Sequence, residues 1–586
     1  MARLASISSF ATTYTTDHFG ANILSTRDRL GDEGTYDEAV DRLGVGTIRY
    51  PGGSLTERYF DITDPDQEMT QHYLTGADQP LLPMSDFMAF AEATGRAVLI
   101  VLPTRTQLSQ QADSNGDRFA VIDEDALRTF LQDTLDGLYG SPRIAGFEIG
   151  NEYWDSGQMT SVEYGRVAST MARIINEELS AHPDAETLFA DTQILVQMGL
   201  ANGYANLSSR YTGTAEEQLA QVSADYNLPL DNSFIYSSGK VAWAKVANQL
   251  VIREFDTPEE QASVDGIVAH VYSRGEFQTS SHSFELRTLT KAWGEDFPDA
   301  KPVVTEWNVR APGRDAQNDF GLVQAGEMLD LMQVFGLYEV SSAYVWAVQQ
   351  GSQSNLSGDE GKPVDKVAGA FFRMMSEDLP GTRAIVLQGA APKESEIVLE
   401  NAEVHVFAGP EKMVVYFQSL SPDSSHETTV DLSGLVTGFE SIRMTKLGVE
   451  PGDAPGSSSA RPVITELSPE DHHDNGFLSV NLGPREIVQV TIEGVDFTPA
   501  MAEILARSEP SEFGPEIQML SADDLDDEFW QHDGPSLEDI GRQQELALMA
   551  RQDDPEEEDT DSDSGFMSDM LLLGLLVPLA MALGGF

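Results

Sequence analysis

The chain is organised around the stretch Phe147-Glu148-Ile149-Gly150-Asn151-Glu152-Tyr153-Trp154. The apolar and small residues from Ile144 to Gly150 predict a short buried strand that runs into Asn-Glu-Tyr-Trp. A carboxylate at the end of a buried strand is costly unless a site uses it. In parallel α/β folds, polar groups at the carboxyl ends of strands are where chemistry is usually carried out. Glu152 could also cap the next helix or pair with an arginine, so this motif alone leaves both interpretations open.

A second stretch far downstream repeats the pattern. In Lys301-Pro-Val-Val-Thr-Glu-Trp-Asn-Val309, a β-branched run is followed by Glu306, Trp307 and Asn308. Two strand-end carboxylates are what glycoside hydrolysis needs, because one protonates the leaving oxygen while the other attacks or stabilises the oxocarbenium-like centre. The neighbouring aromatic rings offer apolar faces on which a sugar can stack. Together the two motifs favour a site that acts on carbohydrate.

Length and composition limit the classes of function. The 586 residues are too many for one ordinary domain, so a large domain and at least one more are expected. With 96 acidic and 36 basic residues the formal charge is −60, which argues against nucleic acid or an anionic membrane as partner. Such acidity suits salty surroundings, although solubility alone would also explain it. The absence of cysteine excludes disulfides, thiolate nucleophiles and cysteine-ligated metals.

Residues 19–375 alternate short apolar runs with amphipathic helical stretches, which predicts a (β/α)8 TIM barrel in the α/β class. The strand candidates are 19–23, 45–53, 97–103, 144–152, 187–192, 264–272, 301–309 and 342–348. The stretch 193–263 is too long for a simple connection and is interpreted as loops and helices built over the mouth of the barrel.

Four further segments flank the barrel. Residues 1–18 form an N-terminal extended segment, and 376–496 show the short alternating strands and turns of an all-β sandwich. An acidic, mostly disordered linker or tail is expected over 497–565. The apolar segment 566–586 could be a tail anchor or an export signal contacting a membrane or secretion machinery. Since the N-terminus lacks the apolar core of a signal peptide, export through this segment to the cell surface or exterior is favoured.

Four motifs resemble those of a known family. Arg49-Tyr-Pro-Gly-Gly53, Gly150-Asn-Glu-Tyr-Trp154, His270-Val-Tyr272 and Glu306-Trp-Asn308 resemble the retaining (β/α)8 glycoside hydrolases of clan A, whose glutamates lie on strands 4 and 7. Within that clan they look most like family 51, the α-L-arabinofuranosidases. The resemblance covers residues 19–375, and the predicted sandwich also suits that family.

The resemblance implies a role for each matching residue. Glu152 would be the general acid/base, Glu306 the nucleophile that forms a glycosyl-enzyme, and Asn151 a hydrogen-bond partner of the sugar 2-hydroxyl. Retention is expected for carboxyl groups about 5–5.5 Å apart, with the acid protonated and the nucleophile charged. A carbohydrate substrate is then the expected partner at the site, and neither a metal nor an organic cofactor is needed.

Five more residues are implied to bind substrate or support the glutamates. Tyr272 would orient Glu306, His270 would lie close by, and Arg49 would keep the nucleophile ionised. Trp154 and Trp346 would contact sugar, with Trp346 as the expected stacking platform. Alternatively, Arg49 could be a structural ion pair, His270 a hydrogen-bonded strand residue, and the tryptophans packing residues.

One segment departs from the family pattern. Ser54-Leu-Thr-Glu-Arg-Tyr-Phe-Asp61 lacks the Asn and Trp expected after Gly53, in loops that shape the sugar pocket. Glucuronides, xylosides or an acidic or marine polysaccharide therefore stand beside arabinofuranosides and plant polysaccharides as substrates. A non-catalytic carbohydrate-binding or cell-surface protein on the same barrel is a further alternative, against which the retention of two glutamates argues.

Overall fold

A computed structural model describes residues 2–507 apart from 277, 279, 350–351, 359–363, 392–393 and 475. The predictions of an acidic disordered tail beyond residue 507 and of an anchoring or export segment at 566–586 lie outside the described residues. No helix within the described part of the chain has the length and apolar character to cross a membrane.

Eight parallel strands close into a barrel, which confirms the predicted fold class. Their residues are almost all buried, as in sheets that are covered on both faces. The strands are β1 (Gly20–Asn22), β2 (Thr47–Tyr50), β3 (Ala97–Leu102), β4 (Ile144–Ile149), β5 (Gln193–Gln197), β6 (Gly266–Ser273), β7 (Lys301–Val309) and β8 (Ala343–Val345).

The prediction of the fifth strand at 187–192 is wrong. Those residues form turns, and Leu188 is 68% exposed. The strand is β5, directly downstream, where Gln197 is buried inside the barrel and donates to the carboxylate of Glu148 at 2.6 Å. The apolar pair Leu188-Phe189 suggested a strand at 187–192. The true strand was not recognised because it ends in Gln197, a polar residue whose partner Glu148 is distant in sequence.

Helices follow the strands, and several begin at side-chain caps. Thr160 and Glu163 form a capping box at the start of helix Ser161–Ala181, and Asp123 caps helix Glu124–Leu135. The remaining helices of the barrel region are Tyr36–Leu43, Leu55–Tyr59, Met84–Thr94, Ala215–Tyr226, Trp243–Ile252, Pro258–Gln261, Ser280–Trp293, Leu322–Leu337 and Val367–Asp378.

The long connection after β5 carries its own small core. Helix Ala215–Tyr226 packs with Trp243 and its neighbours in a cluster separate from the barrel core. The backbone N–H of Tyr204 donates to the carbonyl of Trp154 at 2.8 Å, in the loop that follows β4. Part of this connection therefore lies at the carboxyl end of the barrel, as predicted.

Antiparallel sheets follow the barrel and enclose a second core, which confirms the predicted sandwich. Residues 1–18 contribute to it, because Ser6–Ser9 pairs with Arg383–Leu387 and Ala2–Arg3 pairs with His426–Asp431. The other strands are Ile397–Leu399, Ala402–Ala408, Lys412–Ser419, Val436–Gly438, Ser441–Val449, Pro462–Leu467, His473–Asp474, Phe477–Leu482, Ile487–Glu493 and Asp496–Phe497.

The ordered fold continues past the predicted start of the acidic tail at residue 497. Helix Pro499–Ala506 is capped by Thr498 and buries Met501 completely. Proline at the first helical position and a threonine cap are ordinary helix-start signals. These helix-start signals were overlooked because the sequence that follows them is strongly acidic.

Candidate active site

Arg49 on β2 is the centre of the polar network inside the barrel, and it is fully buried. Its Nε and Nη2 donate to the two oxygens of Glu148 at 2.7 and 2.8 Å, and Nη1 donates to Glu306 Oε1 at 3.0 Å. Nη1 also donates to Asn22 at 2.9 Å and Nη2 to Asn151 at 2.8 Å. These bonds match the five N–H groups of a guanidinium. Burial opposes its charge, but Glu148 and Glu306 outweigh burial and raise the pKa of Arg49.

Glu306 lies within β7 and is held at both oxygens. The Tyr272 hydroxyl, from β6, donates to Oε2 at 2.9 Å, while Arg49 binds Oε1. Burial, together with the neighbouring charge of Glu306, raises the pKa of Tyr272 well above its usual value. Tyr272 therefore stays a neutral donor, and the contacts that the family resemblance implied for Glu306 are present.

Glu152 lies beyond β4 rather than on it. Gly150 adopts φ +76° and Glu152 itself φ +40°, so the chain turns sharply after the strand. A Cβ at Gly150 would lie 2.9 Å from the Thr104 hydroxyl, which leaves room for glycine alone. The turn brings Glu152 Oε1 to 3.1 Å from His270 Nδ1.

His270 on β6 lies between the two glutamates. Its Nδ1 is 3.1 Å from Glu152 Oε1 and 3.6 Å from Glu306 Oε2. Its Nε2 is 3.1 Å from the Thr305 hydroxyl, which in turn lies 3.1 Å from Glu148 Oε1. A carboxylate can only accept, so the hydroxyl donates to Glu148 and must accept from Nε2–H of His270.

That assignment leaves one proton to be shared between His270 Nδ1 and Glu152. Either the imidazole is charged and donates to the carboxylate, or Glu152 is protonated and donates to a neutral ring. Burial lowers the pKa of His270, but Glu306 and Glu152 outweigh it and raise that pKa above its usual value. The raised pKa of His270 favours the protonated imidazole, which donates through Nδ1 to Glu152.

The two glutamates and His270 form a compact group. One ligand-type atom from each of Glu152, His270 and Glu306 lies within 4.8 Å of the others. Such a set could also hold a metal ion, but here Tyr272 and Arg49 already bind both oxygens of Glu306. The geometry leaves two carboxyl groups facing one another across a short gap.

The tryptophans differ in their surroundings. Trp307 is fully buried against Phe335 and Phe372, which makes it a packing residue. Trp154 is 6% exposed and presents a tilted ring to His270, with ring centroids 6.4 Å apart. Trp346 is partly buried beside Glu306.

Gly53 permits this approach of Trp346 to the nucleophile candidate. It has φ +51°, and a Cβ there would come within 2.6 Å of the Trp346 ring and 3.3 Å of Glu306 Oε1. Any larger residue would push the ring or the carboxylate away. Trp346 is thereby placed where a sugar platform would be, although its contact with sugar stays a prediction.

Sequence reasoning missed Glu57, a buried carboxylate behind the site. It accepts from the backbone N–H groups of Thr104, Arg105 and Asn151 at 2.9, 2.8 and 3.0 Å. Burial raises the pKa of Glu57, although these hydrogen bonds oppose the rise. Glu57 belongs to the segment that departs from the family pattern, where a single glutamate in a short helix carries no signal of its own.

Asn22, Gln197 and Thr305 were also missed, because an uncharged polar residue beside apolar strand residues carries no local signal of a site. By contrast, the structure brings together every predicted site residue: Arg49, Asn151, Glu152, Trp154, His270, Tyr272, Glu306 and Trp346.

No protein-family model and no curated protein sequence matches this chain. Solved structures do match its fold. The α-L-arabinofuranosidase of Thermotoga maritima in complex with arabinose aligns with a TM-score of 0.55 and 12% identity, over 83% of this chain and 98% of that one. The thermostable family-51 enzyme of Thermotoga petrophila RKU-1 gives 0.55 and 13%, over 84% and 100%.

A family-51 α-L-arabinofuranosidase from Bifidobacterium longum aligns with a TM-score of 0.54 and 13% identity, over 84% of this chain and 98% of that one. At such low identity these matches concern the fold. The chain thus has the barrel-and-sandwich fold of the family-51 arabinofuranosidases in clan A.

Proposed function

We propose that this protein is a retaining glycoside hydrolase. The observation that carries the proposal is the pair Glu152 and Glu306, whose nearest carboxylate oxygens lie within 4.8 Å of each other around His270. Retaining enzymes keep the two carboxyl groups about 5–5.5 Å apart, whereas inverting enzymes separate them by about 6.5–9.5 Å to admit water. The spacing favours direct attack by one carboxylate on the sugar.

Glu306 is the proposed nucleophile. Arg49 and Tyr272 donate to its two oxygens, which stabilises the ionised form and fixes its orientation in a buried site. Attack of a Glu306 oxygen on the anomeric carbon forms the glycosyl-enzyme as the bond to the leaving oxygen breaks. Water then attacks the same carbon and returns Glu306 to its starting state.

Glu152 is the proposed general acid and base. Its Oε1 lies 3.1 Å from His270 Nδ1, so a proton can pass from the imidazole to Glu152 and on to the leaving oxygen in the first step. In the second step the same carboxylate takes a proton from the attacking water. No metal or organic cofactor enters these steps, and Asn151, held by Arg49 and Glu57, is positioned to hydrogen-bond the sugar.

The preferred glycone is an α-L-arabinofuranoside, because the fold matches those of family-51 arabinofuranosidases. A bifunctional glucanase-xylanase from a metagenome library has a similar fold, with a TM-score of 0.50 and 12% identity. Xylosides and glucuronides therefore belong in any test, particularly since Ser54-Leu-Thr-Glu57 departs from the family pattern. A polymeric substrate would fit the proposed export of the protein. Export would be checked by fractionating cells that express the protein with and without residues 566–586.

The direct test is a screen of the purified protein against aryl arabinofuranosides, xylosides, glucuronides and galactosides together with soluble polysaccharides. Glu306→Ala serves as the dead variant, and Glu295→Ala, at an exposed position, serves as the matched control. We expect turnover of at least one glycoside in the wild type and the control and none in Glu306→Ala. Full activity in Glu306→Ala would refute the assignment. Binding of glycans without turnover by the folded wild type would support the non-catalytic alternative.

A further inference from the structure

A second group of acidic and histidine side chains lies where the barrel meets the sandwich. The sandwich strand Ala402–Ala408 turns alternate side chains to opposite faces. Val404 and Val406 belong to the core of the sandwich, whereas Phe407 packs with the barrel core. Glu403 and His405 share the face of Phe407 and therefore point towards the barrel.

The barrel contributes Asp330 to this group, from helix Leu322–Leu337. Gly326 lies one turn earlier on the same helix, and a Cβ there would collide with the side chain of Gln418 on the neighbouring sandwich strand. The close approach at Gly326 explains how Asp330 reaches Glu403 and His405.

His405 has no hydrogen-bond partner at either ring nitrogen within the described residues. The residue is 0% exposed, so its ring nitrogens do not face bulk water. A buried polar group without a partner is costly and rare in folded proteins. In its neutral form the unpartnered imidazole has a free lone pair on one ring nitrogen. This is the form in which histidine binds metals.

The carboxylates of the group also have no basic partner in the part of the chain that the structure describes. No lysine or arginine in the described residues forms an ion pair with Asp330 or Glu403, and Arg485, whose charge acts on Glu403, is paired with Glu276. Neither carboxylate is therefore compensated by a lysine or arginine of the described residues.

We propose that Asp330, Glu403 and His405 bind one divalent transition-metal ion, of the Zn²⁺ or Mn²⁺ type, between the barrel and the sandwich. One atom from each residue lies within 4.8 Å of the others, and His405 Nε2 is 3.9 Å from Glu403 Oε2. Zn²⁺ holds nitrogen and oxygen ligands at about 2.0–2.2 Å, so small side-chain movements suffice to bring the three atoms round one ion.

The donor set selects the class of metal. An imidazole beside two carboxylates suits Zn²⁺ and Mn²⁺, whereas Ca²⁺ and Mg²⁺ prefer oxygen ligands throughout. Asp330 and Glu403 are only partly buried, which gives the ion a path from solvent and leaves room for water ligands. The bound ion would join helix Leu322–Leu337, which directly follows the β7 segment bearing Glu306, to the sandwich.

The test uses the full-length protein stripped with a chelator and then titrated with ZnCl2, MnCl2, CaCl2 or MgCl2. Calorimetry measures stoichiometry and affinity, and thermal unfolding measures stabilisation, so neither readout depends on enzymatic activity. We expect Zn²⁺ or Mn²⁺ to bind with one equivalent per chain and to raise the melting temperature by several degrees. Asp330→Asn and His405→Gln should weaken binding about tenfold or more.

Two further variants distinguish binding at the junction group from binding elsewhere in the protein. His426→Gln removes a histidine of the sandwich outside the group and should bind metal like the wild type. Glu306→Ala disrupts the other acidic and histidine group, at the candidate active site, and should also bind like the wild type. The partly buried Asp330 keeps the test decisive if His405→Gln does not fold. Absence of binding, binding that survives in Asp330→Asn and His405→Gln, or binding lost only in Glu306→Ala would each overturn the proposal.

Discussion

Two buried groups in this protein combine carboxylates with a histidine, and they differ in how charge is compensated. Inside the barrel, Arg49 donates to Glu148 and Glu306 at 2.7–3.0 Å. At the junction with the sandwich, Asp330 and Glu403 have no such partner among the described residues. A buried charge is tolerated when a partner is buried with it. The barrel group contains its own cation, Arg49, whereas the junction group would obtain its cation by binding a metal ion.

The two groups also differ in how firmly their carboxylates are held by hydrogen bonds. In the barrel every oxygen of Glu148 and Glu306 accepts from a fixed donor, which sets the geometry before a substrate arrives. At the junction the ligand atoms are close but not bound to one another. Removing the cation of the barrel group should therefore destabilise the protein, whereas replacing a carboxylate of the junction group by an amide should not.

The largest expected effect is on catalysis. Glu306→Ala should lower kcat/KM by about 10⁴-fold or more, because it removes the group that forms the covalent intermediate. The corresponding junction variant, Glu403→Gln, should leave kcat/KM unchanged within about twofold in metal-stripped protein. Initial rates on the best aryl glycoside measure both. Equal losses of kcat/KM in the two variants would contradict the assignment of catalysis to the barrel group alone.

Glu152→Ala refines the assignment of the acid. Loss of the acid should slow substrates with poor leaving groups most, because activated aryl groups leave without protonation. Added azide should restore part of the rate on activated substrates by attacking the glycosyl-enzyme in place of base-assisted water. Rates on a leaving-group series, with and without azide, give the result. A uniform loss with no azide effect would remove Glu152 from this role.

The next largest effect concerns stability. Arg49→Met leaves Glu148 and Glu306 buried without their cation and should lower the free energy of unfolding by about 3–5 kcal/mol. Asp330→Asn, in contrast, replaces a carboxyl group that has no lysine or arginine partner among the described residues, and it should leave the metal-stripped protein as stable or more stable. Urea unfolding at neutral pH compares the two. A large loss of stability in Asp330→Asn would show that the junction carboxylate has a partner of its own.

Tyr272→Phe should produce a smaller effect, confined to activity. Removing the hydroxyl costs one hydrogen bond to the charged Glu306, worth about 1.5–3 kcal/mol, or roughly a 10- to 100-fold loss of rate. The ring stays in place, so the melting temperature should hardly change. Steady-state kinetics and thermal unfolding of the same preparation separate the two quantities. A drop in melting temperature with normal kcat would assign Tyr272 to packing.

The smallest effect is a pH dependence of stability from His270. Its pKa is raised in the folded protein, since Glu306 and Glu152 outweigh burial. The stabilisation is fully present below the unfolded pKa of about 6.5 and is lost as pH rises through the folded pKa. The stability difference between wild type and His270→Gln should therefore shrink from about pH 6 to about pH 9. Urea unfolding at both values checks it, and a difference that grows with pH would contradict the shift.

The sequence predicts much of the barrel group and none of the junction group, for a physical reason. Glu152 and Glu306 each follow a run of apolar residues, so a charge stands out against a pattern that demands burial. Glu403 and His405 alternate with Val404 and Val406 as the residues of any half-exposed strand do, which conceals that their face is covered by the barrel.

The same limit explains the other misses. Glu57 lies in a short helix where a glutamate is ordinary, and only the three backbone N–H groups from distant segments make it part of the site. β5 was misplaced because Leu188-Phe189 looks more like a strand than a segment that ends in Gln197. Local periodicity predicts elements well, whereas partners brought together by the closed barrel leave no local trace.

The most direct test of the account is the anomeric configuration of the first product, followed by proton NMR during hydrolysis of the best substrate from the screen. Carboxyl oxygens within 4.8 Å of each other favour attack by Glu306 itself, because inverting enzymes separate their carboxyl groups by about 6.5–9.5 Å to admit water. The account predicts that the newly released sugar first appears with the anomeric configuration of the substrate and then mutarotates. Initial appearance of the inverted anomer would contradict a glycosyl-enzyme on Glu306.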